Sequence, residues 1–194
     1  MKQIKWMDWL FLGTILFFIL GMVHITFALL GFICMVTPFV LYLKTGKKLW
    51  CQIYCPRAAL FTKVLSKLSI GLKPPNWLFT TKTKKLVVNY FCINLGFVFM
   101  STVMVGLGRL EPMAFLRFLI AFQVPFQLPQ LLDLNVPDVI THLGYRIYSI
   151  MFTSTVIGLL LGILYKPRTW CAVCPIQTLT KMSYGVKQFD SCVS

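Results

Sequence analysis

The chain has 194 residues, of which 58% are hydrophobic and 12% charged, and it carries a net charge of +14. A soluble domain usually carries about twice that charged fraction, so the composition argues against an ordinary soluble enzyme. The basic surplus gives little support to nucleic-acid binding, because it flanks apolar runs and forms no recognised binding module.

From Trp9 to Leu43 there is no Asp, Glu, Lys or Arg. As a single helix this run would be about 52 Å long at 1.5 Å per residue, against a hydrocarbon core of about 30 Å. A split near Gly21–Thr26 is therefore predicted, with one span over Met7–Val23 and a second over Ile25–Lys44. The first run is too long for a cleaved signal and has no small-x-small site before a polar sequence, so it reads as a retained span. The basic linker from Lys44 to Lys85 follows. Within it Ala58–Ile70 reads as an amphipathic surface helix with Lys63 and Lys67 one turn apart.

A third span is predicted over Leu86–Leu107. The next segment, Arg109–Gly144, contains Pro112, Pro125, Pro129 and Pro137, which rule out one continuous helix. Met113–Val124 is predicted as a short interfacial or re-entrant helix. Phe115, Phe118 and Phe122 would share one face, with Arg117 opposite. A fourth span covers Tyr145–Tyr165, and its Gly158-x-x-x-Gly162 pattern predicts close approach of another helix. The expected fold is an all-α integral membrane protein. It has four transmembrane helices as two pseudo-repeated hairpins with short interfacial helices, in one membrane domain over 1–194 (half 1, 1–75; half 2, 82–190). Lys and Arg cluster at the N-terminus, between Lys44 and Lys85, and in the C-terminal tail. That bias predicts a multi-pass protein of the inner (cytoplasmic) membrane with both termini in the cytoplasm.

The halves are related by more than their spans. The first ends in Trp50-Cys51-Gln52-Ile53-Tyr54-Cys55-Pro56, with Leu60 four residues beyond the proline. The second ends in Trp170-Cys171-Ala172-Val173-Cys174-Pro175, with Leu179 four residues beyond. Two cysteines one turn apart can present both sulfurs to one centre, and four thiolates complete the coordination of an iron–sulfur cluster or a zinc ion. Proline after the second cysteine occurs in ferredoxin ligand runs and suits the first turn of a following helix. Three alternatives compete. A disulfide is disfavoured on the reducing side of the membrane. A quinone-coupled thiol oxidoreductase would carry its working pairs on the outer face. Zinc stays open, because a four-cysteine zinc site has similar spacing. Cys34, Cys92 and Cys192 read as small apolar residues or a tail thiol.

These paired motifs after hydrophobic hairpins resemble the membrane-bound 4Fe–4S binding proteins. That group includes the membrane subunits of periplasmic nitrate reductase systems and the membrane regulator of nitrous oxide reductase. The resemblance implies one 4Fe–4S cluster at the cytoplasmic face, held by Cys51, Cys55, Cys171 and Cys174, and electron exchange with a redox partner protein or membrane quinol. The second motif has two intervening residues where that group has three. His24 and His142 precede their motifs by similar distances and are the candidate quinol residues, since imidazole titrates near neutral pH; as interfacial turn residues they would be structural instead. A reading from another class is a non-redox scaffold or assembly factor, whose zinc ties the two hairpins together.

Overall fold

The computed structural model describes residues 7–45, 50–119, 122–125, 128–132 and 136–183. Cys192, read above as a tail thiol, lies outside the described residues. In chain order the elements are α1 (Met7–Val23), a 310 turn (Ile25–Leu29), α2 (Leu30–Thr45), a π turn (Trp50–Tyr54) and α3 (Pro56–Leu68). A second 310 turn (Asn76–Phe79), α4 (Thr81–Gly106), the hairpin β1 (Arg117–Phe118) and β2 (Phe122–Gln123), α5 (Asp138–Leu164), α6 (Thr169–Val173) and α7 (Pro175–Ser183) complete it.

Among the described residues, three helical stretches are long and apolar enough to cross a membrane: Ile25–Thr45, Thr81–Gly106 and Asp138–Leu164. α1 has 17 residues, about 26 Å at 1.5 Å per residue. α4 shows why such helices need an apolar surrounding. It buries a narrow stripe of Lys84, Val88, Asn94, Val98 and Val105, while Leu86, Phe97, Phe99 and Met100 stand exposed. α4 and α5 each begin earlier than their predicted spans, because the helix continues through polar residues that hydropathy does not count.

Packing divides the chain into two units. The first comprises Met1–Thr14, Met35–Phe91 and Thr155–Ser194, and the second Ile15–Cys34 and Cys92–Ser154. Each draws on both sequence halves, so the units do not coincide with the pseudo-repeat.

The second unit contains the predicted break in the first apolar run. Helix α1 stops at Val23, and His24 is extended (φ −156°, ψ 133°). Its Nδ1 accepts the Thr26 N–H at 3.2 Å, as an N-cap side chain does. The loose ends are met from a distant segment. Ile25 N–H donates to Gln130 Oε1 at 2.8 Å, and Gln130 Nε2 donates to the Gly21 carbonyl at 3.4 Å. Leu131 and Leu132 N–H both donate to the Val23 carbonyl. A helix end left without such partners would be costly in an apolar setting.

Among the described residues of Met113–Val124 the predicted helix does not form. Arg117–Phe118 and Phe122–Gln123 are extended and pair antiparallel, with Arg117 opposite Gln123 and Phe118 opposite Phe122. The backbone of this segment finds partners on α5: Met113 N–H donates to His142 Nδ1 (3.1 Å), Arg117 N–H to Ser149 Oγ (3.1 Å) and Leu119 N–H to Thr153 Oγ1 (3.4 Å). Acceptors at 142, 149 and 153 recur on one face of the helix, so the strap is laid along α5. Helical periodicity in the phenylalanines missed this, because the competing hydrogen bonds come from another element. Beneath the strap, Ile25, Ala28, Met113, Leu116, Tyr145 and Tyr148 form the core of this unit.

Candidate metal centre

The first unit assembles the two cysteine motifs from α3 and the end of α5. Helix α3 is amphipathic as predicted: Ala58, Ala59, Phe61 and Leu65 are buried, while Val64 and Leu68 are exposed. Its buried face lies on the glycines of α5. A Cβ at Gly158 would collide with the Phe61 ring, and one at Gly162 with the Leu65 side chain. The helices run side by side in the same sense, four residues matched to four. Their ends are tied together: the Ser69 hydroxyl donates to the Tyr165 carbonyl, and Ile70 N–H donates to the Ile163 carbonyl at 2.8 Å. The predicted use of the glycine pair is therefore realised, with α3 as the partner.

After α5 the chain reverses. Thr169, almost fully buried, brackets the turn: its hydroxyl donates to the Lys166 carbonyl at 2.8 Å and accepts the Lys166 N–H at 3.2 Å. Arg168 Nε donates to Thr62 Oγ1 at 3.1 Å, joining the turn to α3. Helix α6 then leads back toward the start of α3. Trp170 meets the same Gly158 position that Phe61 fills, and Cys174 comes within electrostatic reach of Cys55 and Arg57.

Both second cysteines occupy the same local position. Cys55 is the N-cap of α3, with Pro56 in the first turn. Cys174 ends α6 and directly precedes Pro175, the first residue of α7. Proline is tolerated there because its missing N–H would have had no helical partner. An N-cap side chain faces the free N–H groups of the first turn. For Cys174 those are the backbone N–H groups of Ile176 and Gln177, which hydrogen-bond its sulfur.

The first cysteines differ in spacing, and the backbone accounts for the difference. Cys55 N–H donates to the Trp50 carbonyl five residues back, at 2.8 Å, and Trp50–Tyr54 is a π turn. The equivalent stretch of the second motif, Thr169–Val173, is α-helical. One extra residue is absorbed by widening one turn, as single insertions into helices commonly are. Cys51 lies in the π turn and Cys171 in α6. Cys55, Cys171 and Cys174 are half-buried and form no disulfide, and the side chain of Cys51 lies outside the described residues. Among the described residues no group of three or more metal-ligating side chains is closed.

Burial pushes the Cys174 thiol above its ordinary value. The Arg57 guanidinium and the N–H of Gln177 pull it down, Cys55 pushes it up as a second site of negative charge, and the Ile176 N–H pulls it down. Two neighbouring thiolates in a buried setting are therefore costly until a cationic centre neutralises them. Soft sulfur donors, N–H groups aimed at sulfur and a nearby guanidinium fit an iron–sulfur cluster. Sequence reading missed the Thr169 bracket, whose signal is the Lys-Pro-Arg-Thr turn before Trp170.

The two histidines belong to the second unit and serve its fold. His24 caps a turn, as described. His142 is buried; its Nδ1 holds the Met113 N–H, and its Nε2 lies 3.0 Å from Ser101 Oγ. With Nδ1 accepting, the neutral ring carries its proton on Nε2 and donates it to Ser101.

Residues 27–74 and 148–189 match the family model described as a 4Fe-4S binding domain. The two matched stretches contain the two cysteine motifs, one in each. No curated protein and no solved structure matches the chain. The match supports an iron–sulfur binding protein, on the stretches where the fold sets two Cys-Pro helix starts together.

Proposed function

We propose that the protein is a membrane-embedded electron carrier that holds one 4Fe–4S cluster through Cys51, Cys55, Cys171 and Cys174. The observation that carries the reading is the pair of Cys-Pro helix starts, one on each stretch that matches a 4Fe-4S binding domain, with Cys174 within electrostatic reach of Cys55. A cluster bound there supplies reversible one-electron chemistry. The protein's own part is to hold four thiolates, donate N–H groups of Ile176 and Gln177 to sulfur, and set Arg57 beside the site. That cation stabilises added negative charge and so favours the reduced state.

The remaining parts of the proposal concern the membrane. Four helices, α1, the stretch Ile25–Thr45, α4 and α5, span it as two hairpins, with both termini and the cysteine motifs on the cytoplasmic side of the inner membrane. What supports this is the clustering of Lys and Arg at the N-terminus, in the 44–85 linker and in the tail. The redox partner is a protein with an acidic face that docks on the basic residues around the motifs, such as Arg57, Lys166 and Arg168. No step is routed through His24 or His142, whose rings already hold backbone N–H groups.

The test is anaerobic purification followed by iron and sulfide analysis, visible absorption and paramagnetic resonance. Four irons per chain, with a signal that appears on reduction, are expected. Stoichiometric zinc without iron would overturn the redox reading in favour of a structural site. Labelling from outside at Asp138 but not at Arg57 tests the sidedness, and labelling at both sinks it.

A further inference from the structure

The second unit holds two cations that the proposed electron path does not use. Arg146 lies in α5, eight residues after its first residue Asp138, about 12 Å along the axis. Its Nε is fully buried and, among the described residues, has no hydrogen-bond partner. Arg117, on β1, lies within electrostatic reach of Arg146 and of His142. Its backbone N–H is fixed to Ser149 Oγ at 3.1 Å, one turn of α5 beyond Arg146. Its guanidinium stands over the Phe115 ring, 5.0 Å from the centroid. Both arginines are half-buried, and among the described residues neither has a carboxylate partner. Two guanidiniums held together repel, and the repulsion grows as water is excluded. Such an arrangement is stabilised by an anion bridging the pair, and a buried, unpartnered Nε is a donor without an acceptor.

We propose that Arg117 and Arg146 form a binding site for a phosphate group, supplied by the headgroup of an anionic phospholipid. The guanidinium fork matches phosphate geometry. A lipid is the source the surroundings favour. α5 is one of the helices apolar enough to cross a membrane, and Arg146 sits near the depth of a headgroup boundary if that helix spans. The same unit exposes Phe122, Leu131 and Leu132, with 67%, 75% and 49% of their surface accessible, as apolar neighbours for acyl chains. Asp133 lies outside the described residues, and replacing it separates an internal ion pair from a lipid site. The inference rests on the membrane reading but not on the cluster.

The experiment reconstitutes the purified chain into nanodiscs of phosphatidylcholine with a minor fraction of phosphatidylglycerol. It measures the phosphatidylglycerol retained per chain after detergent exchange, by native mass spectrometry. Wild type is expected to retain it about tenfold more tightly than Arg146→Gln or Arg117→Gln, a loss typical of one charge-assisted contact. Arg146→Lys, which keeps the charge but not the fork, should fall between wild type and Arg146→Gln, and Asp133→Asn should stay near wild type. An unchanged midpoint of thermal unfolding in all variants shows that the fold is intact. Equal retention in wild type and both Gln variants overturns the proposal, and so does loss of retention in Asp133→Asn alone. Displacement of phosphatidylglycerol by inorganic phosphate assigns the pair to a soluble anion and overturns the lipid source. A chain released from native membranes by alkaline wash without detergent fails the membrane reading itself, which is a different result from unselective retention in nanodiscs.

Discussion

The two cysteine motifs share a tryptophan before the first cysteine and a proline after the second, yet they close differently. The first returns through a π turn, with Cys55 N–H bonded to the Trp50 carbonyl, and the second through the α-helical turn Thr169–Val173. Both then start a helix at Cys-Pro. What is held constant is a helix start at Cys-Pro, and what varies is the width of the turn that carries the first cysteine, a π turn at Cys51 and an α turn at Cys171.

The most severe way to break this comparison is to remove a ligand. Cys55→Ser and Cys174→Ser are each expected to abolish the cluster, with iron falling to the background of the apoprotein, because a cubane held by three thiolates in a half-buried site loses both charge balance and closure. Cys51→Ser and Cys171→Ser should lose iron as well, but leave more residual cluster, since serine on a turn whose width varies can approach the vacated position. Cys34→Ser and Cys92→Ser should leave iron unchanged. The check is iron per chain with visible absorption. Half the iron surviving in each single variant would mean that the motifs hold separate metals.

Next in size is the contact that brings the motifs together. Gly158→Leu and Gly162→Leu fill the notches that receive Phe61 and Leu65. Forcing a side chain into a packed contact costs about 1–3 kcal/mol. Both variants should lower the midpoint of thermal unfolding and release iron faster, while Gly96→Leu should do neither, because nothing lies within 4 Å of that position. Equal behaviour of all three would show that α3 and α5 do not need this contact to set the site.

These two experiments also mark how far the sequence is legible. The break at His24, the amphipathic α3, the glycine pair on α5 and the four cysteines all follow from local pattern: an apolar run too long for one helix, a 3.6 period, a small-x-x-x-small repeat, and two Cys-Pro stops. What local pattern could not show is the strap from Met113 to Leu119. Its phenylalanines have helical spacing, but the acceptors that hold it extended are His142, Ser149 and Thr153, about thirty residues away. The histidines mark the same limit: local pattern leaves a quinol residue and a structural turn residue both open, and the backbone N–H groups that the rings hold, Thr26 and Met113, are visible only in the fold. Between the two motifs, the extra residue of the first is taken up in a π turn where the second is α-helical.

A smaller effect falls on the electronics of the site. Arg57 is within electrostatic reach of Cys174, and as a fixed cation it favours the reduced cluster. Arg57→Gln should lower the reduction potential by tens of mV, where about 59 mV corresponds to tenfold in a one-electron equilibrium. Arg57→Lys should recover most of the shift. Redox titration followed by paramagnetic resonance reads both. An unchanged potential in Arg57→Gln would remove this side chain from the tuning of the site, and a loss of iron would make its role structural.

The smallest expected effect sharpens the comparison most. Deleting Tyr54 leaves Trp-Cys-Gln-Ile-Cys-Pro, which has the spacing of Trp-Cys-Ala-Val-Cys-Pro. Tyr54 is the residue to remove because 49% of its surface is exposed, so little packing is lost. Ile53, half-buried, then takes the place that the buried Val173 holds before its cysteine. The π turn should close to an α turn, and Cys55 should keep its N-cap position because α3 and its contacts with α5 are untouched. If the turn that carries the first cysteine tolerates either width, iron per chain should stay near wild type and only the resonance line shape should change. The reciprocal insertion, one residue between Val173 and Cys174, should be worse. It would push Cys174 out of register with the N–H groups of Ile176 and Gln177 or displace α6 from the Thr169 bracket. If the Tyr54 deletion loses as much iron as Cys55→Ser, the π turn is itself a required part of the site, and the two motifs are not interchangeable loops on equivalent helix starts.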